Sequence, residues 1–319
     1  MLSRLHAIPG LKVSENVSLS ECTRFAIGGP ARWLVDVSTE EALAAALAAI
    51  RHAGSPFALI GGGTNLIVAD DGFPGVVLRY TAGRIEASGP VIRVDAGATH
   101  QALVDFSIER GLAGLETMTG IPGWVGGAIY GNAGAYGHSI QECIESVRIF
   151  DGCRFRELDN AACGFAYRES VFKRHKDWIV ASAALRLEPA DSAALRATAD
   201  GILKIRNEKY PPSMRCAGSI FKNLILDQLP EQVRAQIPSS VIREGKAPSA
   251  YFLEQAGAKG MVNGAIRVAD YHANLVYNSG GGSLGKGSAA ELRELIQVLK
   301  SRVRDQFGLE LEEEVQYVL

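Results

Sequence analysis

No run of the 319 residues is apolar for long enough to cross a membrane. The longest strongly apolar stretch, Ala42 to Ile50, is nine residues of mostly alanine, against the ~20 that a bilayer requires. Basic charge is not in surplus: Lys and Arg number 33 against 35 Asp and Glu, a net charge of −2. Nothing is left over to neutralise a phosphate backbone, and no nucleic-acid partner is expected. Cysteine is sparse. Cys22, Cys143, Cys153, Cys163 and Cys216 form no CxxC pair and are odd in number, which reads as reduced thiols in a reducing compartment. The spacing by ten between Cys143, Cys153 and Cys163 lacks the short intervals of a metal site, and no HxxxH pair lies nearby, so no metal is assigned. The N-terminal MLSRLHAIPGLKV has no continuous apolar segment ending in a small-residue cleavage site, and the expected location is the cytoplasm.

What the chain does have is ordinary globular material, 47% hydrophobic and 21% charged, with more residues than one core usually holds. Two or three cores are expected. Ser38 followed by Glu41 reads as a capping box opening an alanine- and leucine-rich helix to Arg51, ended by Gly54. A short strand, Pro56 to Ile60, runs straight into Gly61, Gly62 and Gly63. Val76 to Leu78 and Val91 to Val94 read as strands, and Thr99 to Arg110 as a helix stopped by Gly111. SVRIF, RFREL and WIVASAALRL, between Val147 and Leu187, suggest a meander. An alanine-rich helix from Ala190 to Arg206 then marks a domain boundary. Ser288 and Glu291 open a periodic helix with Leu292, Leu295, Ile296, Leu299 and Val303 on one face, ending at Gly308. The final LELEEEVQYVL reads as a strand, with Glu310, Glu312 and Glu314 alternating onto one face.

Glycine is concentrated where chemistry could use it. Between Gly120 and Gly137 the chain reads GIPGWVGGAIYGNAGAYG, seven glycines in eighteen residues. Such density implies positive φ angles or something approaching too closely for a Cβ. Successive N–H groups in such turns make anion-binding concavities. With GGGTN upstream the chain holds two loops suited to phosphates, although either alone would be read as a tight turn. A third run, GGGSLGKG from Gly280 to Gly287, matches GxGxxG and most of GxxxxGK[ST]. It puts Gly287 where magnesium needs a hydroxyl, with Ser288 one place late, and is better read as a glycine-rich loop.

Thr23 to Ala31 (TRFAIGGPA), Gly61 to Leu66 (GGGTNL), Gly120 to Gly137, Tyr167 to Phe172 (YRESVF), Ala217 to Asn223 (AGSIFKN) and Leu311 to Val315 (LEEEV) occur in that order. Together they resemble the UDP-N-acetylenolpyruvoylglucosamine reductase family. The family completes UDP-N-acetylmuramate in bacterial peptidoglycan synthesis, and so serves cell-wall biogenesis, shape and division. The resemblance implies an α+β chain. Its FAD-binding fold would be of the vanillyl-alcohol-oxidase (PCMH) type, residues 1–190, in subdomains of about 1–75 and 76–190. An α/β substrate-binding domain over 200–305 and a strand at 306–319 returning to the FAD-binding region would follow. A long tyrosine-bearing loop insertion found in one subgroup is missing, which points to the shorter type II form. The protein is expected to be a monomer acting on a nucleotide sugar, away from membranes.

Carried over by position, Gly61, Gly62, Gly63, Thr64 and Asn65 would hold the FAD pyrophosphate, with Pro122, Gly123, Gly126, Gly127 and Ala133 on the other side. The resemblance further implies that NADPH reduces the flavin and leaves. The enolpyruvyl substrate then takes hydride at its vinyl carbon, leaving negative charge beside the carboxylate. Arg168 would stabilise that charge through its guanidinium fork, Ser219 would donate the proton and Glu314 would assist at the carboxylate end. Tyr167, Lys209, Lys222, Asn223 and His272 would bind the nucleotide sugar or NADPH.

By residue type alone these positions are bland: Arg168 could pair with Glu169, Ser219 could cap a turn, and Glu314 could lie on a solvated edge. Two other readings stay open, a different FAD oxidoreductase of the same fold acting on an alcohol or hydroxy acid, and a P-loop-like nucleotide-binding module using Lys286. Trp124 stands where the family more often has a small residue, either narrowing the FAD loop or packing on its far side.

Overall fold

The computed structural model describes residues 5–280 and 285–319. The chain divides into two compact units, one made of residues up to Val17, Ala31–Gly63 and Pro74–Pro212, the other of Ser18–Pro30, Thr64–Phe73 and Ser213–Leu319. Each is interrupted in sequence, so each core is assembled from segments far apart in the chain.

The first unit is built on two sheets. One places its strands in the order Leu11–Ser18, Pro30–Val37, Phe73–Tyr80, Phe57–Leu59, the last pair parallel. The helix Glu40–His52 covers it through Ala42, Leu43, Ala46, Leu47 and Ile50, all buried at helical spacing. Its cap is Thr39, which accepts from the Ala42 N–H at 3.1 Å, and not Ser38, whose hydroxyl donates to the Gly10 carbonyl instead. Two adjacent hydroxyls compete for one cap, and the residue that ends with extended backbone wins it.

The second sheet is antiparallel throughout, in the order Phe155–Asp159, Ile144–Phe150, Ile179–Arg186, Val91–Asp95, Ile85–Ser88. It is not a simple meander. The Ile179–Arg186 strand returns to the far side of Ile144–Phe150, and the connection that allows this carries the Tyr167–Arg168 turn and a short helix, Val171–Arg174. The helices His100–Glu109, capped by Thr99, and Ser192–Lys209, capped by Asp191, complete the unit. One continuous apolar core runs from Leu5 to Ala199.

The second unit holds an antiparallel sheet, Cys216–Ser219, His272–Asn278, Ile266–Ala269, Val262–Asn263. The helices Ser249–Gln255 and Ala289–Phe307 pack with it. The longer helix has the expected capping box of Ser288 and Glu291 and ends at Gly308 in the left-handed conformation, φ 67°. Asp70 strengthens that start, its two carboxylate oxygens accepting from the Ala289 and Ala290 N–H groups at 2.8 and 2.9 Å.

The C-terminal segment departs from expectation. Only Gln316–Val318 is a strand, paired in parallel with Leu66–Val68. Ahead of it Glu310 and Glu312 are exposed between buried Leu309 and Leu311, as alternation predicts, whereas Glu313 and Glu314 are both half-buried. Glu310 pairs with Arg304, Glu312 with Lys222, and Glu313 with Lys300 and Tyr317. Half of the third glycine run, 281–284, lies outside the described residues. Among the described residues no helix is long and apolar enough to cross a membrane.

Candidate active site

In the first unit the two glycine loops meet. A Cβ added at Gly62 would sit 3.2 Å from both the Gly123 Cα and the Trp124 Cδ1, and one at Gly61 3.8 Å from the Trp124 Cβ. Trp124 therefore lies against the glycine turn itself. Beyond it the chain does what glycine density argued against and forms a short helix, Val125–Tyr130. Tertiary contacts impose it: Val125, Ala128 and Ile129 are buried, and the Val125 and Gly126 N–H groups donate to Ala98 and Ala96 carbonyls at 2.9 and 2.8 Å. Each glycine has its own reason. Gly120, Gly123 and Gly137 have φ of 73°, 115° and 87°. Gly126 has a Cβ position 3.0 Å from the Ala96 Cβ, whereas a Cβ at Gly127 would meet nothing within 4 Å beyond the backbone of its own helix. That open side is where a bound group can approach the backbone.

A separate turn bonded to the glycine loop carries Arg168. Tyr167 and Arg168 form the tip of a tight turn closed by reciprocal bonds between Ala166 and Glu169 at 3.1 and 3.0 Å, with Arg168 left-handed at φ 57°. Three bonds fasten this turn to the glycine loop: the Arg168 guanidinium donates to the Gly134 carbonyl at 3.0 Å, Asn132 Nδ2 to the Ala166 carbonyl at 2.7 Å, and the Ser170 hydroxyl to the Tyr130 carbonyl at 2.7 Å. Asn132 is itself buried and left-handed, φ 43°, with its amide also bound to Gln141. Sequence reasoning missed it, since one asparagine in a glycine-rich loop looks like any turn residue. Glu169 pairs with Lys173 at 3.5 Å. The Tyr167 ring lies under the Arg168 guanidinium, 5.3 Å away, and Lys209 stands 5.1 Å from the Tyr210 ring at the end of Ser192–Lys209. Pro122 and Ala133 lie in the glycine loop, before and after its helix.

In the second unit Ser219 ends the strand Cys216–Ser219, just after Gly218 at φ 76°. The next residues are gripped from both sides. The Ile220 N–H donates to the Asn274 carbonyl at 3.1 Å, the Glu314 N–H to the Ile220 carbonyl at 2.7 Å, and the Lys222 N–H to the Glu312 carbonyl at 2.9 Å. Ser219 and Glu314 are thus on neighbouring segments of one unit. Lys222 is buried to 8% exposure and its ammonium meets Glu312, a mostly exposed carboxylate. Asn223 accepts from the Ser249 N–H at 3.4 Å, and His272 opens the strand His272–Asn278. Asn65 lies between Thr64 and the strand Leu66–Val68. Its Nδ2 donates to the Glu314 carbonyl at 3.0 Å, while its buried Oδ1 has no partner among the described residues.

Within the first unit, the close approach of Gly62 to Gly123 and the open side of Gly127 leave backbone N–H groups accessible to a phosphate-bearing cofactor such as FAD.

Residues 31–153 match the family model of an FAD binding domain, and residues 210–318 that of the UDP-N-acetylenolpyruvoylglucosamine reductase C-terminal domain. UDP-N-acetylenolpyruvoylglucosamine reductase of Solibacter usitatus is 55% identical over 315 residues, covering 99% of each chain. The chain belongs to the UDP-N-acetylenolpyruvoylglucosamine reductase family. A second family member, from Rubrobacter xylanophilus, is 35% identical over 97% of this chain and 96% of its own. The crystal structure of the Thermus caldophilus reductase matches with a TM-score of 0.75 at 26% identity, covering 97% of this chain and all of that one. The α+β class and the FAD-binding fold expected from the motifs are those of the family.

Proposed function

We propose that this protein is the FAD-dependent reductase that converts UDP-N-acetylglucosamine enolpyruvate to UDP-N-acetylmuramate with NADPH, a step of peptidoglycan precursor synthesis. The observation that carries the reading is 55% identity to a reductase of that name over 99% of both chains. The fit of both glycine loops to a phosphate-bearing cofactor supports it independently. Bound FAD supplies two-electron hydride transfer, from NADPH to the vinyl carbon of the substrate.

The chain's own residues do the rest. Gly61, Gly62, Gly63, Thr64 and Asn65, with Pro122, Gly123, Gly126, Gly127 and Ala133, hold the cofactor. Once hydride has reached the distal vinyl carbon, negative charge grows on the carbon beside the carboxylate and on its oxygens. Arg168, whose left-handed turn holds the guanidinium in a fixed direction, stabilises that charge. Ser219 gives its proton to the carbon, and Glu314 assists from the adjacent segment. Tyr167, Lys209, Lys222, Asn223 and His272 bind the nucleotide sugar or NADPH. Residues 1–190 form the FAD-binding region, 200–305 the substrate-binding domain, and 306–319 return to the former. The enzyme works in the cytoplasm as a monomer of the type II form.

The test is spectroscopic. Purified protein carries a flavin spectrum that NADPH bleaches and the enolpyruvyl sugar nucleotide restores. A colourless protein that takes up no added FAD contradicts the reading. A flavin that NADPH reduces but only an alcohol-oxidising cycle uses assigns the chain to another chemistry.

A further inference from the structure

Beyond Ser219 the backbone pairing with the strand His272–Asn278 continues through the Ile220 N–H, and at Phe221 a side chain of that strand takes over. Asn274 is buried, 2% exposed, on the strand His272–Asn278. Its Oδ1 accepts from the Phe221 N–H at 2.9 Å, and its Nδ2 donates to the Phe221 carbonyl at 2.9 Å and to the Ser249 hydroxyl at 2.8 Å. The Ser249 hydroxyl in turn donates to the same carbonyl at 3.3 Å. The amide orientation is dictated by its partners, since a backbone N–H can only donate and a carbonyl only accept. With the Asn274 carbonyl on Ile220 N–H and Glu314 N–H on the Ile220 carbonyl, both polar backbone groups of Ile220 and Phe221 are satisfied. A carboxamide offers a donor and an acceptor on separate atoms to a single residue's backbone, as a neighbouring strand would.

We infer that Asn274 is a positioning residue for reduction of the substrate: it clamps Phe221 so that Ser219, two residues earlier at the end of its strand, is presented in a fixed direction beside Glu314. The inference rests on Ser219 being the proton donor. Fully satisfied buried networks of this kind hold one geometry, because any displacement leaves a donor or acceptor unpaired in a dry interior. The clamp touches no reacting atom. It acts through the Ser219–Phe221 backbone.

The test separates the two half-reactions by stopped flow in the flavin-loaded enzyme, with thermal melting alongside. Asn274→Ala is expected to leave reduction by NADPH unchanged and to slow reoxidation by the enolpyruvyl sugar nucleotide by about 10²-fold, the order that a misplacement near 1 Å produces. Added to Ser219→Ala, it should slow reoxidation no further, since a misplaced acid and a missing acid fail at one step. If Asn274→Ala slows both half-reactions alike, or its effect multiplies with that of Ser219→Ala, Asn274 serves stability only and the inference falls. If Ser219→Ala leaves reoxidation fast, the assignment of Ser219 itself falls, a result read from that variant without reference to Asn274. Should Asn274→Ala not fold, Ser249→Ala removes just one member of the clamp. A smaller slowing confined to reoxidation supports the inference, and no slowing overturns it.

Discussion

The Glu314 N–H donates to the Ile220 carbonyl at 2.7 Å, one residue beyond Ser219. Proposed acid and proposed carboxylate are therefore registered through main chain, which a change of the Glu314 side chain leaves untouched. Glu314→Gln is expected to slow flavin reoxidation by about 10²-fold, the usual order for a lost electrostatic group at a developing charge. Its stability should stay within about 0.5 kcal/mol of the parent's. Stopped-flow absorbance and thermal denaturation of the same preparation check both halves.

Arg168 holds a conformation that a bulky side chain rarely adopts. Arg168→Gly should relieve about 1 kcal/mol of backbone strain while losing the bond to the Gly134 carbonyl, so its melting point should change little although reoxidation collapses. Arg168→Lys, which keeps the charge without the fork, should remain slower than the parent by at least about tenfold. Equal activity in the lysine variant would remove the case for a geometric role.

Much of this was legible in the residues and some of it was not. The helix Ala289–Phe307 announced itself through Ser288, Glu291, its apolar stripe and Gly308, all local signals that tertiary structure had no reason to override. The Val125–Tyr130 helix did not, because Gly126 and Gly127 argue against a helix and only burial of Val125, Ala128 and Ile129 beneath it decides otherwise. The C-terminal segment looked like one long strand from its alternation. Its strand pairing with Leu66–Val68 takes in Gln316–Val318, while Glu312 and Glu314 bond instead to the Lys222 and Ile220 main chain. The family motifs named Arg168, Ser219 and Glu314, but the buried amides of Asn132 and Asn274 could not be found that way, since nothing in a single asparagine says that its amide is enclosed.

Gly62 and Gly127 separate folding from cofactor binding. Gly62→Ala brings a Cβ to 3.2 Å from the Gly123 backbone and the Trp124 ring, so it should push the two loops apart and lower both stability and FAD affinity. Gly127→Ala meets nothing within 4 Å beyond the backbone of its own helix, where alanine is favoured by roughly 0.5–1 kcal/mol. The apoprotein should then melt no lower than the parent while flavin retention falls. FAD titration by fluorescence quenching, with melting of the flavin-free protein, reads the two effects apart.

His100 gives a pH dependence of known sign. Its imidazole is fully enclosed at the start of His100–Glu109. Burial first, and the Arg206 charge second, push its pKa down from 6.5 to about 4. Above pH 6.5 the ring is neutral whether the chain is folded or not. Between 6.5 and 4 the unfolded chain takes up a proton that the folded chain refuses, so stability falls as pH drops, by roughly 3 kcal/mol over the whole interval. His100→Gln should flatten this part of the profile, as measured by urea midpoints between pH 7.5 and 4.5.

The central claim is that Ser219 protonates the carbon left negative after hydride transfer. A single-turnover experiment with Ser219→Ala tests it most directly: the flavin-loaded variant is bleached with NADPH and then mixed with the enolpyruvyl sugar nucleotide. Bleaching should proceed at the parent's rate, and recovery of the oxidised spectrum should be slower by about 10²–10⁴-fold, the span usual for a lost general acid. Recovery at the parent's rate would show that the proton comes from elsewhere.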